Sequence, residues 1–220
     1  MRQIRVTQYG GPEQMQLVEL PDPVPAPGEA LVRVTVAGVN YMDIAARSMP
    51  LPGWGLPAAM GVEGAGRVEA IGAGVENLAP GDRVAWFYHP GSYADLAAVR
   101  AESLVKVPEV VDDQTAAAVM MQGLTAHHLV TETYPGRRWR HRRGAGRRGR
   151  RRAAAHPAGQ GRRRPRYRPG LRQRAGEVFD LVAAGKLTPR IGARYPLADA
   201  AKAPADLASR RTVGNLLLMP

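Results

Sequence analysis

The chain has 220 residues, enough for one large domain or two small ones with a real core, and no cysteine, which excludes disulfides and thiolate metal sites. Residues 137–174 hold 17 of its 31 Lys and Arg residues and no Lys, Asp or Glu, so without those 17 charges the formal net charge falls from +12 to −5: the basicity belongs to one 38-residue insert. No apolar run approaches the roughly 20 residues that cross a bilayer and no signal peptide precedes Arg2, so a cytoplasmic protein with no membrane association is expected.

From the N-terminus, residues 2–9 and 30–39 alternate as strands do, with Val32, Val34 and Val36 on one face. Between them lies a proline-rich stretch, residues 21–28, that excludes helix and central strand and is predicted as a surface loop. Short strands follow over 66–71, 82–86 and 92–96, divided by turns at Gly72, Gly74, Pro80-Gly81 and Pro90-Gly91. This spacing predicts a compact β-barrel-like domain. Residues 112–130 read as a helix, with Asp112 or Asp113 as its N-cap.

Five segments carry a recognisable order. Ala37-Gly38-Val39-Asn40-Tyr41-Met42-Asp43 follows a strand, and Met60-Gly61-Val62-Glu63-Gly64-Ala65-Gly66 opens the next. Leu78-Ala79-Pro80-Gly81-Asp82-Arg83-Val84 precedes Gly91-Ser92-Tyr93-Ala94-Asp95, and residues 116–127 close the set. In register over about 130 residues, they resemble the catalytic domain of the medium-chain dehydrogenase/reductase superfamily, above all its quinone oxidoreductase (zeta-crystallin-like) branch. The resemblance implies an α+β chain with a GroES-like barrel, a Rossmann domain, and NADPH-dependent reduction of a quinone or enone, in a family that is often homo-oligomeric. Another reductase of the superfamily, enoyl reductase or alcohol dehydrogenase-like, is the alternative. The zinc-binding branch has a cysteine where this chain has Asn40, so the resemblance is to the zinc-independent group. His89, His127 and His128 lack acidic partners at ligand spacing, and no metal site is expected.

In the insert the alphabet shrinks to Arg, Gly, Ala and Pro, with a few other residues. The family places here a strand, a glycine-rich turn that admits the cofactor pyrophosphate, and the start of a helix. That motif is absent, and the genetic code suggests why. When the frame slips in GC-rich DNA, a third-position C before a Gly, Ala or Val codon yields CGN, arginine. Decoded this way, Gly149-Arg150-Arg151-Arg152 overlays Gly-Gly-Val-Gly, and His156 to Gln160 overlays Thr-Gln-Leu-Ala-Lys. Trp139 to Gly144 overlays Gly-Asp-Thr-Val-Val-Val, and the correspondence continues without a gap to Tyr167. The rival is a basic arm on a disused barrel. RNA-binding Arg/Gly segments interleave aromatics, whereas here only Trp139 and Tyr167 are present. In either case residues 137–174 lack the apolar content for a core, are expected to be disordered, and would bind polyanions nonspecifically.

From Arg174 the composition normalises. Phe179, Leu181, Val182 and Leu187 mark a helix that Gly185 ends, a further helix starts at Tyr195, and residues 211–218 read as a final strand. This order resembles the family's C-terminal return to the catalytic domain, with roughly a hundred residues of nucleotide-binding sheet missing before it. The chain is accordingly divided into a GroES-like domain (1–130), an Arg/Gly-rich segment replacing the nucleotide-binding core (131–174), and the family's C-terminal helices and strand (175–220), leaving only a remnant of the Rossmann domain.

Hydride transfer needs a nicotinamide ring beside the substrate carbonyl and a polar group for the developing oxyanion. By resemblance, Asn40 and Asp43 fall at the catalytic cleft, Gln122 and Thr125 line the nicotinamide side, and Asn215 approaches the cofactor. Each also has a plainer role, Asn40 as a turn residue and Thr125 as a helix hydroxyl. The family often has a tyrosine near the position of Ala45, and Arg47 reads as a surface charge or a phosphate partner. The frame-slip account predicts that the alternative frame of the gene across codons 137–170 encodes a glycine-rich strand-turn-helix; an interrupted or arginine-rich translation would contradict it.

Overall fold

The computed structural model describes residues 1–52, 54–133 and 170–220. In chain order the strands and helices are β1 (Arg2–Val6), β2 (Gln16–Glu19), β3 (Glu29–Val39), α1 (Tyr41–Ser48), β4 (Ala58–Ala59), β5 (Glu63–Ile71), β6 (Arg83–Phe87), β7 (Leu96–Arg100) and β8 (Leu104–Lys106). They continue with α2 (Asp113–His128), α3 (Gly170–Ala183), β9 (Ile191–Pro196), α4 (Lys202–Ala208) and β10 (Asn215–Met219). Of the tract expected to be disordered and to bind polyanions, residues 137–174, the part up to 169 lies outside the described residues, as does the overlay on a glycine turn.

Two sheets form the body. One has the order β2-β1-β4; the other runs β8-β6-β5-β3-β10-β9, with β7 also paired to β3. Among the described residues, all pairings are antiparallel except β9 with β10. Backbone bonds from Ile4 N to Tyr93 O (2.8 Å) and Met60 N to Ile4 O (3.0 Å) tie the sheets together. That tie corrects one expected strand: Tyr93 and Ala94 reach across to β1, and regular pairing with β3 starts only at Leu96.

The eleven-residue β3 organises the core. Its first half alternates, and Val32 and Val34 join Val68, Val84, Trp86 and Val99 inside the barrel. Beyond Val34 every residue to Val39 is buried except Thr35. Val36 packs under α2 and α3, while Ala37 and Val39 pack under α1 and α4, so this half is covered on both faces and alternation gives way to continuous burial. Gly66 permits a close approach of β5 to β3, because a Cβ there would collide with the Arg33 carbonyl oxygen.

Helix α2 starts as expected: Asp112 caps it by accepting from Thr115 N at 2.9 Å. Helix α3 spans Gly170–Ala183, so residues 170–174 are helical and not disordered as their composition suggested. It ends in a Schellman motif, with Lys186 N bonded to Leu181 O, Gly185 N to Val182 O, and Gly185 at φ +67. Tyr195 lies in β9 rather than in a helix, because β9 pairs along β10 as far as Pro196. β10 returns to the N-terminal sheet beside β3, Leu217 opposite Gly38.

Leu217 is fully buried between the sheet and the α2–α3 layer. Leu217→Ala is expected to destabilise the chain by about 2–5 kcal/mol in urea unfolding; a loss under about 1 kcal/mol would mean that β10 is not part of the core.

Candidate functional site

The site forms where β3 ends, β5 begins and α2 passes across both. Asn40 occupies the N-cap position of α1, but Asp43 supplies the capping contact, accepting from Asn40 N at 2.7 Å. The Asn40 side chain is thereby left for other partners. Its Nδ2 donates to Glu63 Oε1 at 2.8 Å, and its Oδ1 accepts from Gln122 Nε2 at 2.8 Å. Glu63 Oε2 accepts the backbone N–H of Met121 at 2.7 Å. On the other side of Asn40, Asp43 Oδ2 also accepts from the Tyr93 hydroxyl at 2.8 Å, and its Oδ1 has no partner.

Glycines make the space. Gly38 faces Glu63 in the β3–β5 register, and a Cβ there would occupy the position of the Glu63 carboxylate. Gly61, at φ +86, would carry a Cβ into Ser92 and Tyr93. Both belong to the segments that carry the family resemblance.

Asp43 and Glu63 are 0% and 1% exposed, with no cation among their partners. Burial disfavours their charged forms and pushes Asp43 up to about 7 and Glu63 up to about 8, against the pull of their hydrogen bonds. The same burial, with Asp43 next to it, pushes the Tyr93 hydroxyl well above its ordinary range.

Above this network lies a cavity of about 550 Å³, within the size range of small-molecule sites. Asn40, Gln122, Thr125 and Asn215 all line it, together with Val39, Tyr41, Met42, Met121 and Leu129. Asn215 is fixed by an Nδ2 bond to Ala118 O at 3.1 Å. Four of the five sequence-predicted site residues thus share one wall. Asp43 lies behind Asn40 and does not line the cavity. A second cavity of about 630 Å³, bordered by Phe87, Tyr88, Arg100 and Leu171, shares Met121 and Thr125 with the first. Arg47 is buried, with Nε and Nη1 unpartnered, and is not the surface charge its sequence context suggested.

Glu63 was not singled out from the sequence, although a signal existed: it is the lone acid in the Gly- and Ala-rich opening of β5, where a solvent-facing role is hard to place. Among the described residues, no three His, Cys, Asp or Glu side chains converge as a metal site would require, and no helix is long and apolar enough to cross a membrane.

The two raised carboxyls fix a sign for stability against pH. The folded chain holds protons that the unfolded chain has lost, so the stability tied to them is full below their ordinary values of 3.8 and 4.5 and falls as pH rises through about 7 and about 8. Asp82, Asp95 and Asp112 are held below the usual range, and their opposite contribution is exhausted once pH exceeds the ordinary 3.8. The melting temperature is therefore expected to drop by roughly 5 °C or more between pH 5 and pH 9, and Glu63→Gln to flatten the drop. A melting temperature that rises over this interval would contradict the burial of these groups.

Comparison with known proteins agrees with this geometry. Residues 26–109 match the alcohol dehydrogenase GroES-like domain, and residues 109–218 match the zinc-binding dehydrogenase family. The chain is 41% identical to the quinone oxidoreductase of Pseudomonas aeruginosa over 134 residues, 60% of this chain but 41% of that relative's length. A mycobacterial quinone oxidoreductase structure superposes with a TM-score of 0.82 at 26% identity, covering 100% of both chains. A mycobacterial protein complexed with NADPH superposes with a TM-score of 0.83 at 26% identity, again covering 100% of both. A barrel that closes through β3, a C-terminal strand that returns beside it, and matches that run from residue 26 to 218 lead to one assignment: the chain belongs to the medium-chain dehydrogenase/reductase superfamily, in its quinone oxidoreductase branch.

Proposed function

We propose that the cavity over Asn40 holds the nicotinamide ring of NADPH beside a quinone or α,β-unsaturated carbonyl, and that the reaction needs no zinc. The observation that carries this reading is the shared wall: three amide side chains and a hydroxyl, from β3, α2 and β10, converge on one cavity floored by a hydrogen-bonded network. When bound, reduced nicotinamide supplies a hydride. The chain's part is to place and polarise the acceptor. With Glu63 ionised, Asn40 donates one Nδ2 hydrogen to it and keeps the other for an oxygen on which charge develops. Thr125, Gln122 and Asn215 bind and orient the ring. Asp43 acts through Asn40, as a positioning residue that fixes the start of α1. Zinc independence rests on Asn40 standing where the zinc-binding branch has a cysteine, and on the absence of cysteine from the whole sequence.

The fit covers the ring end of the cofactor only. Among the described residues, α1 and α2 begin with acidic first turns, Asp43 and Asp113, which disfavour a pyrophosphate. The sequence offers Gly149-Arg150-Arg151-Arg152 where the family needs a glycine turn that the phosphates can approach closely. Arginine charge attracts phosphates without orienting the ring, and lost orientation removes about 7–11 kcal/mol of barrier lowering. We read the chain as the substrate side of the enzyme with only a remnant of its Rossmann domain, so the activity of the whole relatives is not carried by these 220 residues.

Quinone-dependent NADPH oxidation by this chain is accordingly expected at background, and a full-length version with the frame corrected across residues 137–169 is expected to turn over. Robust turnover by the unmodified chain would show that the cofactor is gripped in another way; background activity in the corrected, folded version would overturn the assignment of the cavity.

A further inference from the structure

The hydrogen bonds beneath the cavity have a direction. The Met121 backbone N–H can only donate, so Glu63 Oε2 is always an acceptor. Asn40 Nδ2 donates to Glu63 Oε1, which turns Asn40 Oδ1 toward Gln122 and requires a donor there. Gln122 answers with Nε2. Its Oε1 takes no donor among the described residues, and Gln122 is an exposed member of the cavity wall. Read outward, a buried carboxyl group orients two amides in series, and the series ends at the carbonyl oxygen of a side chain that lines the cavity.

We infer that Glu63 sets the direction of the Asn40–Gln122 amide chain, and thereby decides whether the cavity offers a ring ligand a hydrogen-bond acceptor or a donor. The inference rests on the reading of the cavity as a ring site, which it deepens. With the chain in its present direction, the ligand class is a planar ring bearing a donor, such as a primary carboxamide.

An ionised carboxylate is acceptor-only and enforces this direction. A neutral Glu63 still accepts from Met121 N at Oε2, so its proton sits on Oε1 and needs an acceptor in Asn40. Asn40 then rotates its amide, Gln122 rotates in turn, and an N–H replaces the oxygen at the cavity. The two ends of each amide are nearly isosteric, so the reversal needs no backbone movement. It costs no lost hydrogen bond, since every pair is remade with its roles exchanged. Burial supports the proton being available, raising Glu63 to about 8. The titratable group acting on it is Asp43 of α1, whose charge raises it further, with the Tyr93 hydroxyl beyond Asp43. β3 and α2 face Glu63 with Gly38, Asn40 and the Met121 N–H, none of which titrates. Glu63→Gln imitates the neutral state at every pH: its carbonyl must take the Met121 N–H, so its NH₂ faces Asn40.

The test compares nicotinamide with its acetylpyridine analogue, which keeps the ring and carbonyl but replaces the amide nitrogen with a methyl group. Each is titrated into the full chain, with binding read from the backbone resonances of Thr125 and Asn215. At about pH 9.5 the unmodified chain is expected to prefer nicotinamide about fivefold, the value of one net hydrogen bond, and at about pH 6 to bind both alike. Glu63→Gln is expected to bind both alike at either pH. Gln122→Met, which removes the presented oxygen without touching the buried carboxyl, is expected to do the same. Should Glu63→Gln fail to fold, the pH comparison and Gln122→Met still decide. Equal binding by the unmodified chain at the higher pH, a preference that does not change with pH, or a preference that survives either substitution overturns the inference and leaves the ring site standing. If neither probe moves Thr125 or Asn215, the ring site itself fails, and the inference with it.

Discussion

The site depends on a carboxyl group held out of water. Glu63 is 1% exposed and has no cation beside it, a placement that disfavours its charged form and leaves both oxygens in need of hydrogen bonds to replace hydration. It receives them from two separate elements: the side chain that follows β3 and the backbone of α2. The carboxylate therefore acts as a clamp between the barrel and the helix that crosses it. The position of Asn40, the register of α2 and the shape of the cavity all follow from satisfying those two oxygens. Gly38 belongs to the same constraint, since any side chain there would expel the carboxylate from its place against β3.

β3 carries that arrangement into the fold. Its N-terminal half is an ordinary barrel strand with one face inward, and its C-terminal half is covered by helices on both sides. Only the covered half can deliver Asn40 to a dry, polar cluster. β10 is also needed, because it flanks that half of β3 and places Asn215 on the cavity wall. The last residues of the chain thus complete a site begun by its first forty, and the cavity depends on the C-terminal return as much as on the barrel.

Much of this was legible in the sequence. Alternation marked β3, turn glycines marked the barrel strands, and Asp112 marked the start of α2, because each signal is local. Asn40, Gln122, Thr125 and Asn215 were proposed from motif order, and the fold brings them to one cavity. What escaped notice depends on distant contacts. Residues 92–95 look like a strand but serve as a cross-link, since their backbone partners are spread over β1, Gly61, Met60 and Val34 of β3, and no local pattern encodes that. Tyr195 looked like a helix start because the pairing of β9 with β10 is invisible without knowing that β10 is there. The resemblance puts Asp43 at the cleft with Asn40, yet one turn of helix carries it behind Asn40 to Tyr93. Glu63 carries no local signal of its partners, because they lie 23 and 58 positions away.

The amide network is built from Asn40, Glu63, Met121 and Gln122, none of which lies in the Arg/Gly-rich insert. The most direct measurement of the central claim is a carbon-detected titration of the Glu63 carboxyl in the free chain, followed together with the side-chain NH₂ resonances of Asn40 and Gln122. The account requires a midpoint near the value of about 8 set by burial, far above the ordinary 4.5, and a change in both amides at that same midpoint. A Glu63 carboxyl that titrates near 4.5, or amides that stay indifferent while it titrates, would contradict it.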